Sequence, residues 1–241
     1  NNSLSNQLVK SKLSIDSSKR NVFLFSNLFW DVGLNDQGRM YDDVISWIMH
    51  TIELLRNSKD IHLYIKTHPA EEFGTANSRK SVGSIIKEKF PKGLKNITII
   101  EPALKLKPYS LFPFIDIAIL YQGTLGFELL NHNIPIISCG TAAYNRLGLV
   151  HEPKNTEEYL NFIFNGKAIE FDRDLFDLLS YFYFKKVTIP WDISDASYGN
   201  TFKKPFNINN ISDLLSKKSK IDHLCKVILE NKSISPEIWK N

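Results

Sequence analysis

The chain has 241 residues, 43% of them hydrophobic, with a formal net charge of +4. This is enough apolar material for one sizeable core. The scattered lysines form no arginine-rich, aromatic-laced run of the kind that binds nucleic acid, so that partner is excluded.

Asn1 to Arg20 is rich in Asn, Ser and Lys and does not begin with Met. It reads as a linker or cut boundary, and one domain of a longer protein is the expectation. Short apolar runs then alternate with amphipathic stretches, the pattern of βαβ units around a parallel sheet. Strands are expected at Val22 to Ser26, His62 to Lys66, Ile97 to Ile100, Asp116 to Leu120 and Pro135 to Ser138. All are short and mostly apolar, as strands covered on both faces are. Helices are expected at Tyr41 to Asn57, Ser81 to Phe90, Thr124 to Asn131 and Thr156 to Phe164. The first carries Val44, Ile45, Ile48, Ile52 and Leu55 at three- and four-residue spacing.

Composition changes near Gly166. An aromatic helical segment (Leu175 to Lys186), a Trp-, Gly- and Pro-punctuated loop (Pro190 to Pro205) and a closing helix (Ile211 to Glu230) follow. The expected plan is therefore α/β, a Rossmann-like parallel sheet over 21–170 with helices on both faces. A helical tail over 171–241 packs on the same domain. No signal peptide is recognisable, and no apolar run approaches the roughly 18–20 residues that span a bilayer. Cys139 and Cys225 have neither metal-ligand spacing nor the density of a disulfide framework, which points to a reducing, cytoplasmic setting.

In a doubly wound sheet, ligands bind beyond the carboxyl ends of the strands. Four expected strand exits are polar or glycine-bearing there: Asn27 to Asp31, Lys66 to Glu71, Tyr121 to Thr124 and Cys139 to Thr141. Gly123 allows close backbone approach, Thr124 suits a helix cap, and the helix start suits a phosphate. Glu128, one turn on, suits a pair of sugar hydroxyls. The same spacing fits a capped helix with a surface glutamate.

His68 precedes Pro69, which ends the strand. It suits a phosphate or a departing nucleotide, as imidazolium or as the neutral N–H tautomer, and equally a bond to loop backbone. Glu71 either orients His68 or caps the next segment. Lys66 either faces an anion or snorkels. Asp31 suits a base or a sugar hydroxyl, and also an ordinary loop cap. Gln122 stands beside Gly123. Tyr144, after Gly140, suits either a ligand or the core. Asp172-Arg173-Asp174, the one Asp-X-Asp triplet, lies past the last strand and reads as an acidic helix start rather than a metal pair. The remaining histidines (His50, His62, His132, His151, His223) show no paired metal spacing, so no metal site is assigned.

Several of these segments recur together in a known order. They are Asn27-Leu-Phe-Trp-Asp31, Trp47, Ile65-Lys-Thr-His-Pro-Ala-Glu71, Pro108-Tyr-Ser-Leu111 and Tyr121-Gln-Gly-Thr-Leu-Gly-Phe-Glu128. Ile134 to Gly140, Tyr144, Gly148-Leu149 and Thr156 to Leu160 follow. The series, from Val22 to Phe164, resembles the capsule polysaccharide biosynthesis family, whose members include bacterial Kdo transferases of GT-B architecture.

The resemblance implies half of a GT-B fold, the donor-binding C-terminal domain, with an acceptor-binding N-terminal domain outside this chain. It implies that His68 contacts the donor phosphate, Gly123 and Thr124 cradle it, and Glu128 holds the ribose or sugar. Lys66, Glu71, Gln122, Gly140 and Tyr144 complete the expected binding set, and Asp31 joins His68 in the catalytic one. No cofactor is expected beyond a nucleotide-sugar donor, with CMP-linked sugars among the candidates, and the other partner is a glycan acceptor. Peripheral attachment to the inner membrane fits lipid-linked capsule precursors. Two alternatives stand beside this reading: a teichoic-acid-type polyol-phosphate transferase and a non-catalytic nucleotide-binding scaffold of a capsule assembly complex.

Overall fold

A computed structural model of the chain describes residues 2–28, 40–72, 80–181 and 183. The chain divides into two compact units, Asn1–Arg173 and Asp174–Asn241.

The first unit is built on five parallel strands: β1 (Arg20–Phe25), β2 (Ile61–Lys66), β3 (Ile97–Ile100), β4 (Ile117–Leu120) and β5 (Ile136–Ser138). Their spatial order is β3-β2-β1-β4-β5, so the winding reverses between β1 and β4. Register is fixed by pairs such as Phe25 with Lys66 and Phe25 with Leu120. Side chains alternate between faces at period two. Val22, Leu24, Leu63, Ile65, Ile117, Ile119 and Ile137 all enter one core with the helices α2 (Val44–Leu55), α3 (Val82–Lys89) and α5 (Thr156–Asn165). Phe23, Phe25 and Tyr64 stand on the other face, with Phe23 and Tyr64 stacked at 4.5 Å.

The helices start where their caps dictate. Asp43 accepts from Ser46 N at 2.7 Å before α2, Ser81 from Ser84 N at 3.1 Å before α3, and Asn155 from Glu158 N at 2.9 Å before α5. Each cap satisfies an otherwise unpaired first-turn donor. Trp47, Ile48, Ile52 and Leu55 of α2 are fully buried. Burial of such side chains contributes about 1.5–3 kcal/mol each.

One expectation is corrected here. The segment read as a linker forms helix α1 (Asn2–Leu13), with Val9, Leu13 and Ile15 buried. The turn after it rests on the sheet, where the Asp16 carbonyl accepts from Asn21 Nδ2 at 3.2 Å. Its apolar stripe is narrow, so the surrounding Asn, Ser and Lys residues conceal it.

The short helix α4 (Leu125–Asn131) follows β4, and α6 (Arg173–Tyr181) begins at the boundary of the second unit. Asp172 immediately precedes α6 and Asp174 lies in its first turn, as expected of an acidic helix start. The expected loop at Pro190 to Pro205 and helix at Ile211 to Glu230 lie outside the described residues.

Candidate functional site

A cleft of about 370 Å³ opens at the carboxyl ends of β1, β2 and β4, where the winding reverses. This is the position at which open α/β sheets take ligands. Its walls are Phe25 to Asn27 from β1, Lys66 to Pro69 from β2, and Leu120 and Gln122 to Leu125 from β4. Pro108, Tyr109 and Glu128 complete the rim.

The strand exits are locked together below it. Ser26 N donates to the Lys66 carbonyl at 3.0 Å, and Thr67 N to the Ile100 carbonyl at 3.1 Å. Asn27 Nδ2 donates to the Gln122 carbonyl at 3.0 Å and so ties β1 to β4 across the switch point. That bond fixes the orientation of the amide, because a carbonyl only accepts. Asn27 Oδ1, Gln122 Oε1 and Ser26 Oγ are buried without a hydrogen-bond partner among the described residues.

Lys66 is the dominant charge in the cleft. It ends β2, is only 5% exposed, and has no ion pair or hydrogen bond to its ammonium among the described residues. Burial lowers its pKa from the ordinary 10.5, because desolvation disfavours the charged form.

His68 caps the short turn Pro69–Glu71. Its Nδ1 accepts from Ala70 N at 3.2 Å, a geometry in which Nε2 is the nitrogen that donates. Gly123 has φ +126°, a backbone conformation that favours glycine. Thr124 is already helical at φ −76° and makes no side-chain capping bond. The expected hydroxyl cap is absent there, and the residue is exposed at the cleft instead. The Glu128 carboxylate near the Tyr109 phenol raises the phenol pKa above its usual 10.0.

Three expected binding residues stand outside the cleft lining. Glu71 is buried, and both its carboxylate oxygens accept from Val82 N, at 3.4 and 3.2 Å. It thus serves the start of α3 rather than the ligand. Desolvation pushes its pKa up to about 7. A Cβ on Gly140 would lie 2.2 Å from the Tyr121 carbonyl oxygen, so this glycine lets the β5 exit approach that of β4. Tyr144 is fully buried, with its hydroxyl donating to the Gly123 carbonyl at 3.1 Å. It braces the cleft from behind. Asp31 lies outside the described residues.

The structure brings Lys66, His68, Gln122, Gly123, Thr124 and Glu128 to one cleft. Ser26 joins them without any motif of its own, and Tyr109 from the Pro108 to Leu111 segment. Tyr109 was legible only as an aromatic in the Pro108 to Leu111 run ahead of β4. Among the described residues, no group of three or more His, Cys, Asp or Glu side chains is placed to hold a metal ion.

Residues 5–185, which include every wall of this cleft, match the family described as capsule polysaccharide biosynthesis protein. The chain belongs to that family. No curated protein sequence matches it. Among solved structures, this capsule-family chain is similar to UDP-GlcNAc 2-epimerase from Neisseria meningitidis bound to UDP-GlcNAc, at 13% identity over 72% of the chain and 42% of the epimerase, with TM-score 0.45. It is also similar to the β-Kdo 2,7-transferase KpsC of Thermosulfurimonas dismutans, at 13% identity over 73% and 61%, TM-score 0.40. The wall teichoic acid polymerase TagF, with CDPG, matches at 12% identity over 76% and 40%, TM-score 0.40. The chain therefore spans 42%, 61% and 40% of the lengths of these three proteins.

Proposed function

We propose that this chain is the donor-binding half of a glycosyltransferase that builds a bacterial surface polysaccharide, with a nucleotide-sugar held in the switch-point cleft. The observation that carries the reading is Lys66, a largely buried lysine lining the cleft whose ammonium has no ion pair among the described residues. A buried charge of this kind is costly unless paired, and a donor phosphate is the partner that the cleft geometry suits. Family membership supports the surface-polysaccharide setting.

In the proposed step the bond from the anomeric carbon to the donor phosphate oxygen breaks, and a bond to the acceptor oxygen forms. The electron pair leaves with the nucleotide. Lys66 and the Nε2–H of His68 take up its developing charge, while Gly123 and Thr124 offer backbone at the start of α4. The acceptor proton goes to a base outside the described residues, either Asp31 or a residue of an acceptor domain on another part of the protein. Glu128 receives the ribose or sugar hydroxyls. Neither a metal nor a separate cofactor is assigned to the step, and CMP-linked sugars are among the candidate donors. A peripheral site at the inner membrane fits lipid-linked acceptors. No helix among the described residues is long and apolar enough to cross a membrane.

The test is calorimetric titration of the chain with CMP, UDP, GDP and CDP and the sugars or polyols linked to them. One nucleotide class is expected to bind, and Lys66→Met to weaken it by roughly tenfold or more, as expected for a lost charge-assisted bond. Absence of binding by every one of these ligands would overturn the reading in favour of a scaffold.

A further inference from the structure

We infer that the end of the sheet remote from the cleft carries a second binding site, built on Lys19, Arg56, Lys59 and Lys95, for the acid groups of a saccharide chain. The choice of a saccharide rests on the surface-polysaccharide reading above.

Lys19 immediately precedes β1, Lys59 stands two residues before β2, and Lys95 two residues before β3. These strands are neighbours in the order β3-β2-β1 and run parallel, so their starts share one edge. Three lysines from distant segments thereby come together, and Arg56 joins them from the end of α2. The four line a pocket of about 360 Å³. The cleft lies about 20 Å away along the strands, at their other ends.

No carboxylate lines this pocket. Lys19, Lys59 and Lys95 form no ion pair among the described residues. Asp16 acts on Lys19 through space, but its carboxylate is engaged by Ser18 N at 2.9 Å and Ser18 Oγ at 2.6 Å. Glu53 pairs with Arg56 through Nε at 2.9 Å. Asp60 is exposed and stands outside the lining.

Helix α2 also ends here. The carbonyls of a helix end carry partial negative charge, which ordinarily draws lysines in and repels an anion. Asn96 withdraws them. It is 4% exposed, and its Nδ2 donates to the Leu55, Ser58 and Ile61 carbonyls at 2.7, 3.2 and 3.3 Å. The Asp60 carbonyl is taken by Arg20 N at 2.8 Å. The cations are left with an external anion as their complement.

The rest of the lining selects the kind of anion. Asn57, Ser58 and Asn96 are polar, and no residue of the pocket is apolar or aromatic. A bilayer finds no side chain here to insert, and a nucleic acid finds no ring on which to stack its bases. Amide and hydroxyl groups set among cations suit a chain that alternates acid groups with neutral hydroxyls, which is an acidic saccharide. A polymer held at this end stays at high local concentration near the cleft between transfers.

The test titrates the whole 241-residue chain with oligogalacturonate, with neutral dextran oligomers of the same length and with vesicles containing phosphatidylglycerol. Oligogalacturonate is expected to bind, more weakly as salt rises, and dextran to fail. Lys59→Gln/Lys95→Gln should weaken binding about tenfold, or about threefold for each exposed charge, with its unfolding midpoint unchanged. Lys105→Gln/Lys154→Gln removes the same charge from exposed positions elsewhere and should change affinity by less than about twofold. Equal losses in the two double variants overturn the inference. Absence of oligogalacturonate binding overturns it too, and capture by the vesicles in its place assigns the lysines to a lipid surface. Nucleotide affinity, measured on the same proteins, should not change in Lys59→Gln/Lys95→Gln. The donor reading falls with nucleotide binding and this inference with oligogalacturonate binding, so the two fail separately.

Discussion

The Ala70 N–H donates to His68 Nδ1 at 3.2 Å across the turn that leaves β2. This bond decides the chemistry of the imidazole, because a ring nitrogen that accepts carries no proton. Only Nε2–H remains as a donor, and forming the imidazolium breaks the bond to Ala70. In the proposed transfer, Nε2–H is the group through which His68 steadies the departing phosphate. For the proposed glycosyl transfer, His68→Ala is expected to lower kcat by about 10²–10³, while nucleotide affinity changes far less. Nitrogen NMR of the labelled protein should report the Nε2–H tautomer. Unchanged turnover in His68→Ala would remove the residue from the step.

Lys66 poses a conflict between stability and binding. Burial lowers its pKa from 10.5, so between the folded and unfolded values the unfolded chain binds more protons. Stability then rises with pH across that window, and below it the penalty for the buried ammonium is carried in full. Lys66→Met removes the penalty, so below that window the variant should melt higher. A gain of about 1 kcal/mol corresponds to roughly 2–4 °C for a chain of this size. The same variant should bind nucleotide roughly tenfold or more weakly. Wild-type affinity for phosphate ligands should also fall at a lower pH than an ordinary lysine would give. A lower melting temperature in Lys66→Met would mean that the ammonium is stabilised by the protein itself.

Much of this arrangement is legible in the sequence because the strands are short apolar runs whose polar ends mark one rim. His62 to Lys66 and Ile97 to Ile100 agree with β2 and β3 to within one residue. Lys66, His68, Gln122, Gly123, Thr124 and Glu128 share a cleft because strand exits in a parallel sheet all point the same way. What spacing does not encode is the direction in which a side chain leaves a turn. Glu71 follows His68 by three residues, yet reaches Val82 N and not the ligand side. Tyr144 has the composition of a nucleotide contact and the burial of a core residue. Helix α1 is concealed for a different reason: Val9 and Leu13, one turn apart, are diluted by polar neighbours.

Glu71 provides a pH test of that correction. Its pKa is pushed up to about 7 from 4.5, chiefly by desolvation, and the carboxylates of Glu72 and Glu101 add to the rise. A carboxyl group whose folded pKa is raised contributes stability that is present below the unfolded value and is lost as pH climbs through the folded one. Glu71→Gln keeps an oxygen for Val82 N and cannot ionise. The variant should match wild type near pH 5 and exceed it by at least about 1 kcal/mol near pH 8, since each pKa unit is worth about 1.4 kcal/mol. Urea unfolding at the two pH values measures the difference. A variant that is less stable at pH 8 would show that the charged form is needed, and would return Glu71 to the binding set.

Gly126 and Tyr144 form the most stringent packing test of the cleft. A Cβ at Gly126 would lie 2.2 Å from Tyr144 Cζ and 2.5 Å from its hydroxyl oxygen. The ring cannot yield freely: it is fully buried, meets Phe127 edge-on at 5.4 Å, and its hydroxyl holds the Gly123 carbonyl at 3.1 Å. Gly126→Ala should therefore cost about 1–3 kcal/mol, the usual range for overpacking, and disturb the Gly123 turn. Tyr144→Leu removes the colliding atoms together with the hydroxyl. Combined with Gly126→Ala it should be more stable than the sum of the single effects predicts, the signature of a shared contact. Binding should not recover with it, because the bond to the Gly123 carbonyl is still missing. Urea midpoints for the four proteins, with nucleotide affinity measured on each, separate the two effects. Strictly additive stabilities would mean that Tyr144 does not meet Gly126, and a double variant with restored affinity would show that the cleft does not depend on that hydroxyl.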